Sequence, residues 1–298
     1  MSDLSTVTVA VQGVASPVLT SGDPDAREAV VFVHGNPGPK EDWEALMRRA
    51  GEFARSVAPD MPGFGAADHP ADFDYTSGGY ARHLAGILDQ LRIDRVHLVV
   101  HDFGGPWGLV WAVEHPDAFA SVTLINTGVL LDYRWHRLAR IWRTPGLGDL
   151  FMATTTRAGV RMVVGHDNPR LSPSAVDRIY EASRPRHTKR AVLKLYRATP
   201  ASAMGALRAP LRELDRPALV VWGTTDAYIP WQQAERQLES FPSARIELLE
   251  GLGHWPFAED PARVSEAVIP FLRAQVDPSG DAGGSRRSGA MPGSNSPA

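Results

Sequence analysis

The chain has 298 residues, 43% hydrophobic and 22% charged, with a net charge of −3 and no cysteine. Those proportions describe a globular protein with a sizeable core and exclude a disulfide framework and thiolate catalysis. The basic residues are spread along the sequence, so no nucleic-acid partner is expected, and no run of about 18 apolar residues exists to span a membrane.

The opening residues, MSDLSTVTVAVQG, lack a basic segment followed by an apolar one, so no signal peptide is read and a cytoplasmic monomer or homodimer is expected. Two short β-rich segments come first, VTVAVQG and SPVLTSG. AVVFVHG, residues 29–35, is a nearly unbroken apolar run ending in glycine, the pattern of a strand buried on both faces. A shorter strand at Val57–Asp60 empties into MPGFG, and Leu84, Ile87, Leu88 and Leu91 recur at helical spacing. Strand VHLVV then runs into His101-Asp102-Phe103-Gly104-Gly105 and a helix carrying Trp107 and Trp111, which read as core; SVTLINT, 121–127, is the next buried strand.

Residues 128–213 break this rhythm with helical patterns, several prolines and many arginines, of which Arg134, Arg137, Arg140 and Arg143 read as a solvated face. Strand and helix alternate again through ALVVWG, QQAERQLESF, ARIELLEG and ARVSEAVIPFLRAQ. The alternation predicts an α/β fold with a mainly parallel sheet between helical layers: core over 1–127 and 214–276, a helical cap over 128–213. In 277–298, 16 of 22 residues are Gly, Ser, Pro or Ala, the composition of a disordered tail.

Three residues follow strands at one end of this sheet. Asp102 stands at a sharp strand-to-helix turn, where the helix N-terminus favours a carboxylate; the same residue alone would also serve as a helix cap. Asp226 in GTTDAYIP and His254 in GLGHWP complete the order nucleophile, acid, histidine. The loop HGNPG, His34 to Gly38, can aim the Asn36 N–H at the elbow beside that of Phe103, two donors for an oxyanion.

HGNPG, DMPGFG, VHDFGG, GTTDAYIP and GLGHWP together resemble the α/β-hydrolase fold superfamily over roughly residues 5 to 275. The aspartate at the elbow resembles the branch containing epoxide hydrolases and haloalkane dehalogenases. A carboxylate is ionised without a base and can displace a leaving group from saturated carbon, leaving an alkyl ester. His254, oriented by Asp226, would then activate water against that ester.

The leaving group divides the branch. An epoxide opens to an alkoxide that needs a proton donor, and Tyr196, 30 residues before Asp226, matches a cap tyrosine of epoxide hydrolases. A second donor is open among Trp142, Tyr133 and His136. A halide needs only N–H groups; Asn36 matches the dehalogenase asparagine, but Phe103 stands where those enzymes carry tryptophan and has no side-chain donor. WHRLARIW also resembles the halide-binding segment of fluoroacetate-type dehalogenases, so a haloacid is a further alternative; Trp135, Trp142 and Tyr180 read otherwise as cap core. The expectation is therefore an epoxide hydrolase acting on a small apolar organic substrate and water, with haloalkane or haloacid dehalogenation as the alternative and a non-catalytic binding module as the third. No metal cluster, phosphate loop or cofactor motif is found, and a serine esterase is disfavoured because no serine occupies the elbow.

Overall fold

The computed structural model describes residues 2–200 and 202–276; the tail expected to be disordered lies outside the described residues. Eight strands form one sheet in the order β1-β2-β4-β3-β5-β6-β7-β8. They are β1 (Ser5–Val11), β2 (Val14–Ser21), β3 (Glu28–Val33), β4 (Arg55–Pro59), β5 (Arg95–His101), β6 (Phe119–Ile125), β7 (Ala218–Gly223) and β8 (Arg245–Leu249). β1, β2 and β4 pair antiparallel, and every pair from β4 to β8 is parallel.

The inner strands are apolar at consecutive positions because each pleat faces a helical layer. Val31 and Val33 of β3 enter one core with Leu98, Val100 and Val220. Val30 and Phe32 point the other way and join Val99 and Val221. Helices Ser77–Gln90 and Gly104–Glu114 pack on the first face, Glu44–Ala50 and Pro261–Val276 on the second. Trp107 and Trp111 are buried as expected, Trp107 stacking on Tyr80 at 4.0 Å. The outer strands β1 and β8 are mostly exposed.

β3 and β5 are neighbours, and the connection leaving β3 goes to β4 on one side while that leaving β5 goes to β6 on the other, which opens a crevice at the carboxyl ends of β3 and β5. The loops carrying Asn36 and Asp102 meet there.

Between β6 and β7 the chain forms the helices Arg137–Arg143, Leu147–Thr154, Arg157–Asp167, Pro173–Ser183 and Arg186–Ala198, which roof this end of the sheet. The next helix, Arg208–Leu214, leans on the core instead: Arg212 donates to the carbonyls of Leu238 and Glu239. The solvated arginine face is correct for Arg134, Arg137 and Arg140, which are exposed. Arg143 departs from it. Half-buried over the Trp135 ring, it donates to the carbonyls of Tyr196 and Thr199, which the end of the helix Arg186–Ala198 leaves without helical partners.

Candidate active site

β5 ends at His101, and the next residue, Asp102, takes a left-handed conformation with φ +47°. For a non-glycine residue that costs about 1 to 3 kcal/mol, so the surroundings must impose it. The Thr127 hydroxyl donates to the Asp102 carbonyl at 2.6 Å, and the Gly105 N–H reaches the same oxygen at 3.0 Å. The turn also requires close approach. A Cβ on Gly104 would lie 2.2 Å from the Val33 carbonyl oxygen, and one on Gly35 would lie 2.5 Å from Cβ of Asp102. Gly104 and Gly35 thus share one cause, the contact of two loops at the crevice, whereas a Cβ on Gly105 would lie 2.1 Å from the Thr127 hydroxyl after β6.

Asp102 Oδ1 accepts the Asn36 N–H at 2.8 Å. No hydrogen bond from the Phe103 N–H to the carboxylate accompanies it, so one of the two expected oxyanion donors is engaged. The Asn36 loop is held by His34, which accepts the Met61 N–H at Nε2 (3.0 Å) and bonds the Gly35 carbonyl through Nδ1 (2.8 Å). Asp102 Oδ2 lies 3.6 Å from His254 Nε2, an ion-pair distance too long for a strong hydrogen bond. His254 Nδ1 donates to Asp226 Oδ2 at 2.8 Å. The other oxygen of Asp226 accepts the N–H groups of Tyr228 and Ile229 at 2.7 and 2.9 Å. Asp102, Asp226 and His254, 152 residues apart at their extremes, therefore meet as one array.

The electrostatics follow from this pairing. Burial opposes an imidazolium at His254, but the Asp226 and Asp102 carboxylates outweigh it and push the group up to about 10. Burial likewise opposes charge on Asp102, yet His254, His101 and the Asn36 N–H hold its carboxyl below the ordinary value. Asp226 is lowered too, against burial, by His254, Asn126 and the Ile229 N–H. The free site is thus two carboxylates around one imidazolium, and the carboxylate on the elbow stays ionised.

Four residues of this array carry no mark in the reading of the sequence. Asn126, just past β6, donates to Asp226 Oδ2 at 2.7 Å, and its carbonyl oxygen accepts the Gly223 N–H. Thr127 follows it. Polar residues directly after a buried strand were the available signal for both, since that end of the sheet supplies the site. His101 is bonded through Nε2 to the His254 carbonyl at 2.8 Å, and burial pushes it down to about 4. Asn168 had no sequence signal. It lies in the cap, fully buried, and accepts the His254 backbone N–H at 3.2 Å.

Above Asp102 a cavity of about 350 Å³ runs under the cap. Phe103, Trp135, His136, Trp142 and Tyr196 crowd its inner end, with the Tyr196 ring 4.9 to 6.2 Å from the other four. Burial, and then the Asp102 charge, hold the Tyr196 phenol well above its usual range, so it keeps its proton. Tyr133 is less free, since its hydroxyl donates to the Tyr228 carbonyl at 3.1 Å. His136 caps the helix Arg137–Arg143 by accepting the Ala139 N–H at Nδ1, and burial pushes it down to about 4. A neutral ring accepting at Nδ1 carries its proton on Nε2 and can donate from there. The indole N–H groups of Trp135 and Trp142 and the Asn36 amide are buried with no hydrogen-bond partner. Trp135 and Trp142 thus line the cavity, whereas Tyr180 packs under Arg157 away from it.

Among the described residues, no group of three or more His, Cys, Asp or Glu is placed to hold a metal ion, and no helix is long and apolar enough to cross a membrane. A model of the alpha/beta hydrolase fold family matches residues 28–261. A 2-hydroxymuconate semialdehyde hydrolase from a Pseudomonas species is 28% identical over 262 residues, 86% of this chain and 90% of that protein. A loop variant of a haloalkane dehalogenase from Bradyrhizobium elkanii superposes with a TM-score of 0.79 at 22% identity, over 93% of this chain and 99% of that one. An epoxide hydrolase from Mycobacterium thermoresistibile gives 0.76 at 21% identity, over 91% and 98%. At those identities the two solved structures establish a shared fold.

Proposed function

The chain belongs to the alpha/beta hydrolase fold family, and from that premise we propose that it hydrolyses a neutral, apolar substrate at saturated carbon through an ester on Asp102. The observation that carries this reading is the elbow itself. An ionised carboxylate, one oxygen bound to the Asn36 N–H and the other facing His254, opens onto an apolar cavity. A serine-type acyl mechanism has no hydroxyl to start from here.

The bond broken is assigned to an epoxide. Asp102 Oδ2 attacks one ring carbon, the C–O bond opens, and Tyr196 gives its proton to the alkoxide; Trp142 and His136 flank it as further donors. Esterification removes the negative charge of Asp102, one of the two carboxylates that hold His254 protonated. His254 then loses its proton more readily; that proton restores the Tyr196 phenol, and the neutral imidazole becomes the base for the second step. Water attacks the carboxyl carbon, one of its protons passes to His254, and the oxyanion forms against the Asn36 N–H with Phe103 as second donor. Collapse breaks the bond from the carboxyl carbon to the alkyl oxygen, His254 gives that oxygen its proton so that the diol leaves, and the proton remaining on the Asp102 carboxyl returns to His254.

One observation favours a second reading, dehalogenation of a haloalkane. The Trp135 ring lies nearly parallel to Phe103, 6.3 Å away, and its unpaired indole N–H can supply the donor that phenylalanine lacks. Haloacids and the carboxylate substrates named for the Pseudomonas relative fit less well. Among the described residues that line the cavity there is no Lys or Arg to bind a carboxylate, and Asp102 would repel one.

His254→Gln tests both readings, because the first step survives and the second stalls. The variant is mixed with styrene oxide or with a bromoalkane and its intact mass recorded. A gain of the whole epoxide on the Asp102 peptide is the expected result. An alkyl gain with bromide release replaces it with the dehalogenase, and no adduct from either removes the ester mechanism.

A further inference from the structure

The cap differs in charge and in surface from the body it covers. The whole chain has 31 Lys and Arg against 34 Asp and Glu, but residues 128–200 hold 14 of the former and 5 of the latter. The even scatter read along the sequence therefore conceals a strongly basic cap on an acidic core. Several of these cations are not spent on ion pairs: Arg134, Arg137, Arg140, Arg186 and Arg190 are exposed, and no carboxylate lies within salt-bridge distance of them among the described residues.

The same region carries the three most exposed large apolar side chains of the described residues: Met162 at 71%, Leu150 at 61% and Leu147 at 52%. Leu147 and Leu150 stand on the helix Leu147–Thr154, which packs beside the arginine-rich helix Arg137–Arg143. Met162 stands on the helix that follows, Arg157–Asp167. Met162 also lines the cavity, together with Phe151 and the linking Thr154, Thr155 and Thr156. A side chain that is both cavity wall and largely solvent-exposed marks a mouth, so the apolar cavity opens between these two helices.

We infer that this face of the cap docks on an anionic phospholipid surface, with Leu147, Leu150 and Met162 entering the headgroup boundary. The arginines would meet the lipid charge, and the cavity mouth would lie against the phase in which an apolar substrate is dissolved. Amphipathic helices bind such interfaces by this combination of apolar insertion and basic flanks. Nucleic acid fits less well, because the exposed apolar groups are aliphatic and offer bases no stacking platform. Such peripheral association needs no spanning helix.

The test is co-sedimentation of the full chain with vesicles of phosphatidylcholine alone and of phosphatidylcholine mixed with phosphatidylglycerol. Binding is read without turnover, so its result is separate from that of the ester mechanism. Expected is binding to the mixed vesicles that weakens with added salt. It falls about fivefold for each of Arg137→Gln and Arg140→Gln, and at least about tenfold for Leu147→Glu combined with Leu150→Glu. Neither leucine lines the cavity, so turnover of a water-soluble substrate by that double variant stays at the wild-type rate and certifies its fold. Three results overturn the inference: no vesicle binding, equal binding to neutral vesicles, or a concentration-dependent dimer in light scattering that the leucine substitutions abolish.

Discussion

The floor and the roof of the cavity satisfy their polar groups in opposite ways. On the floor, Asp226 accepts from His254, Asn126, Tyr228 and Ile229, and the Asp102 carboxylate from Asn36. Toward the roof, the N–H groups of Trp135 and Trp142 are buried without partners, and the Asn36 side-chain amide, reaching up from the floor, is likewise unpaired. Leaving such a group unpaired costs about 1 to 3 kcal/mol, which a protein tolerates where a ligand completes the bond. Asn36 apart, the floor is held by its own hydrogen bonds, and under the proposed mechanism the leaving group completes the roof. The difference separates what sets the reaction type from what sets the substrate.

Breaking the floor has the largest effect. Asp102→Asn removes the nucleophile and is expected to lower turnover by at least about 10⁴-fold, with the fold retained by far-UV circular dichroism. Steady-state kinetics on whichever substrate forms the adduct measures this, and near-normal turnover would sink the mechanism.

The roof comes next, and its response sharpens the comparison. Loss of one donor that acts in the transition state costs about 10²-fold. For an epoxide that loss appears with Tyr196→Phe, while Trp135→Phe is mild. For a halide the order reverses. Rates for the two variants on both substrate types assign the leaving group.

Asn168 is a polar tie from roof to floor, a cap side chain that accepts the backbone N–H of His254. It acts through His254 and is a positioning residue. Asn168→Ala removes this hydrogen bond, worth about 1 kcal/mol at His254, together with the amide's donations to the Val164 carbonyl and the Tyr228 hydroxyl, so kcat should fall at least about fivefold with KM little changed. Asn168→Gln, which keeps both the acceptor oxygen and the donor nitrogen, should restore most of that loss; equal rates for both variants would show that the tie is only structural.

The smallest effect is on stability against pH. Folding raises His254 to about 10 from its usual 6.5. Its ion pairs therefore stabilise the fold fully below the unfolded value, and the contribution declines as pH climbs through about 10. The Tm difference between wild type and His254→Gln should shrink over that interval; a constant difference would place the stabilisation outside the ionisation. The first chemical step responds in the other direction. Without His254, burial of Asp102 is less opposed, so the acid limb of adduct formation in His254→Gln should move to higher pH than in the wild type.

Much of the floor was legible in the sequence because local chemistry marks it. An apolar run buried on two faces, followed at once by a charged or glycine-rich turn, identifies both a strand and its carboxyl end. Asp102, Asp226, His254 and Asn36 each stand in such a turn, and the order along the chain made them one set. Asn126 and Thr127 carried the same mark, and their side chains could have been read from it.

The roof followed another logic. Its helices were recognisable as helices, but which faces turn inward depends on how five of them cross, and no local periodicity encodes that. Only the tertiary structure decided that Trp135 and Trp142 line the cavity, that Arg143 is held against two carbonyls, and that Asn168 reaches His254. It also decided that arginines scattered in sequence share one domain with Leu147, Leu150 and Met162. Burial pattern along one strand or one helix is a property of the neighbouring residues, and the sequence alone determined the core and the end of it that gathers Asp102, Asp226 and His254 by that means. The unpaired donors, the mouth and the charged face arise from contacts between elements far apart in the chain, and these exist only once it has folded.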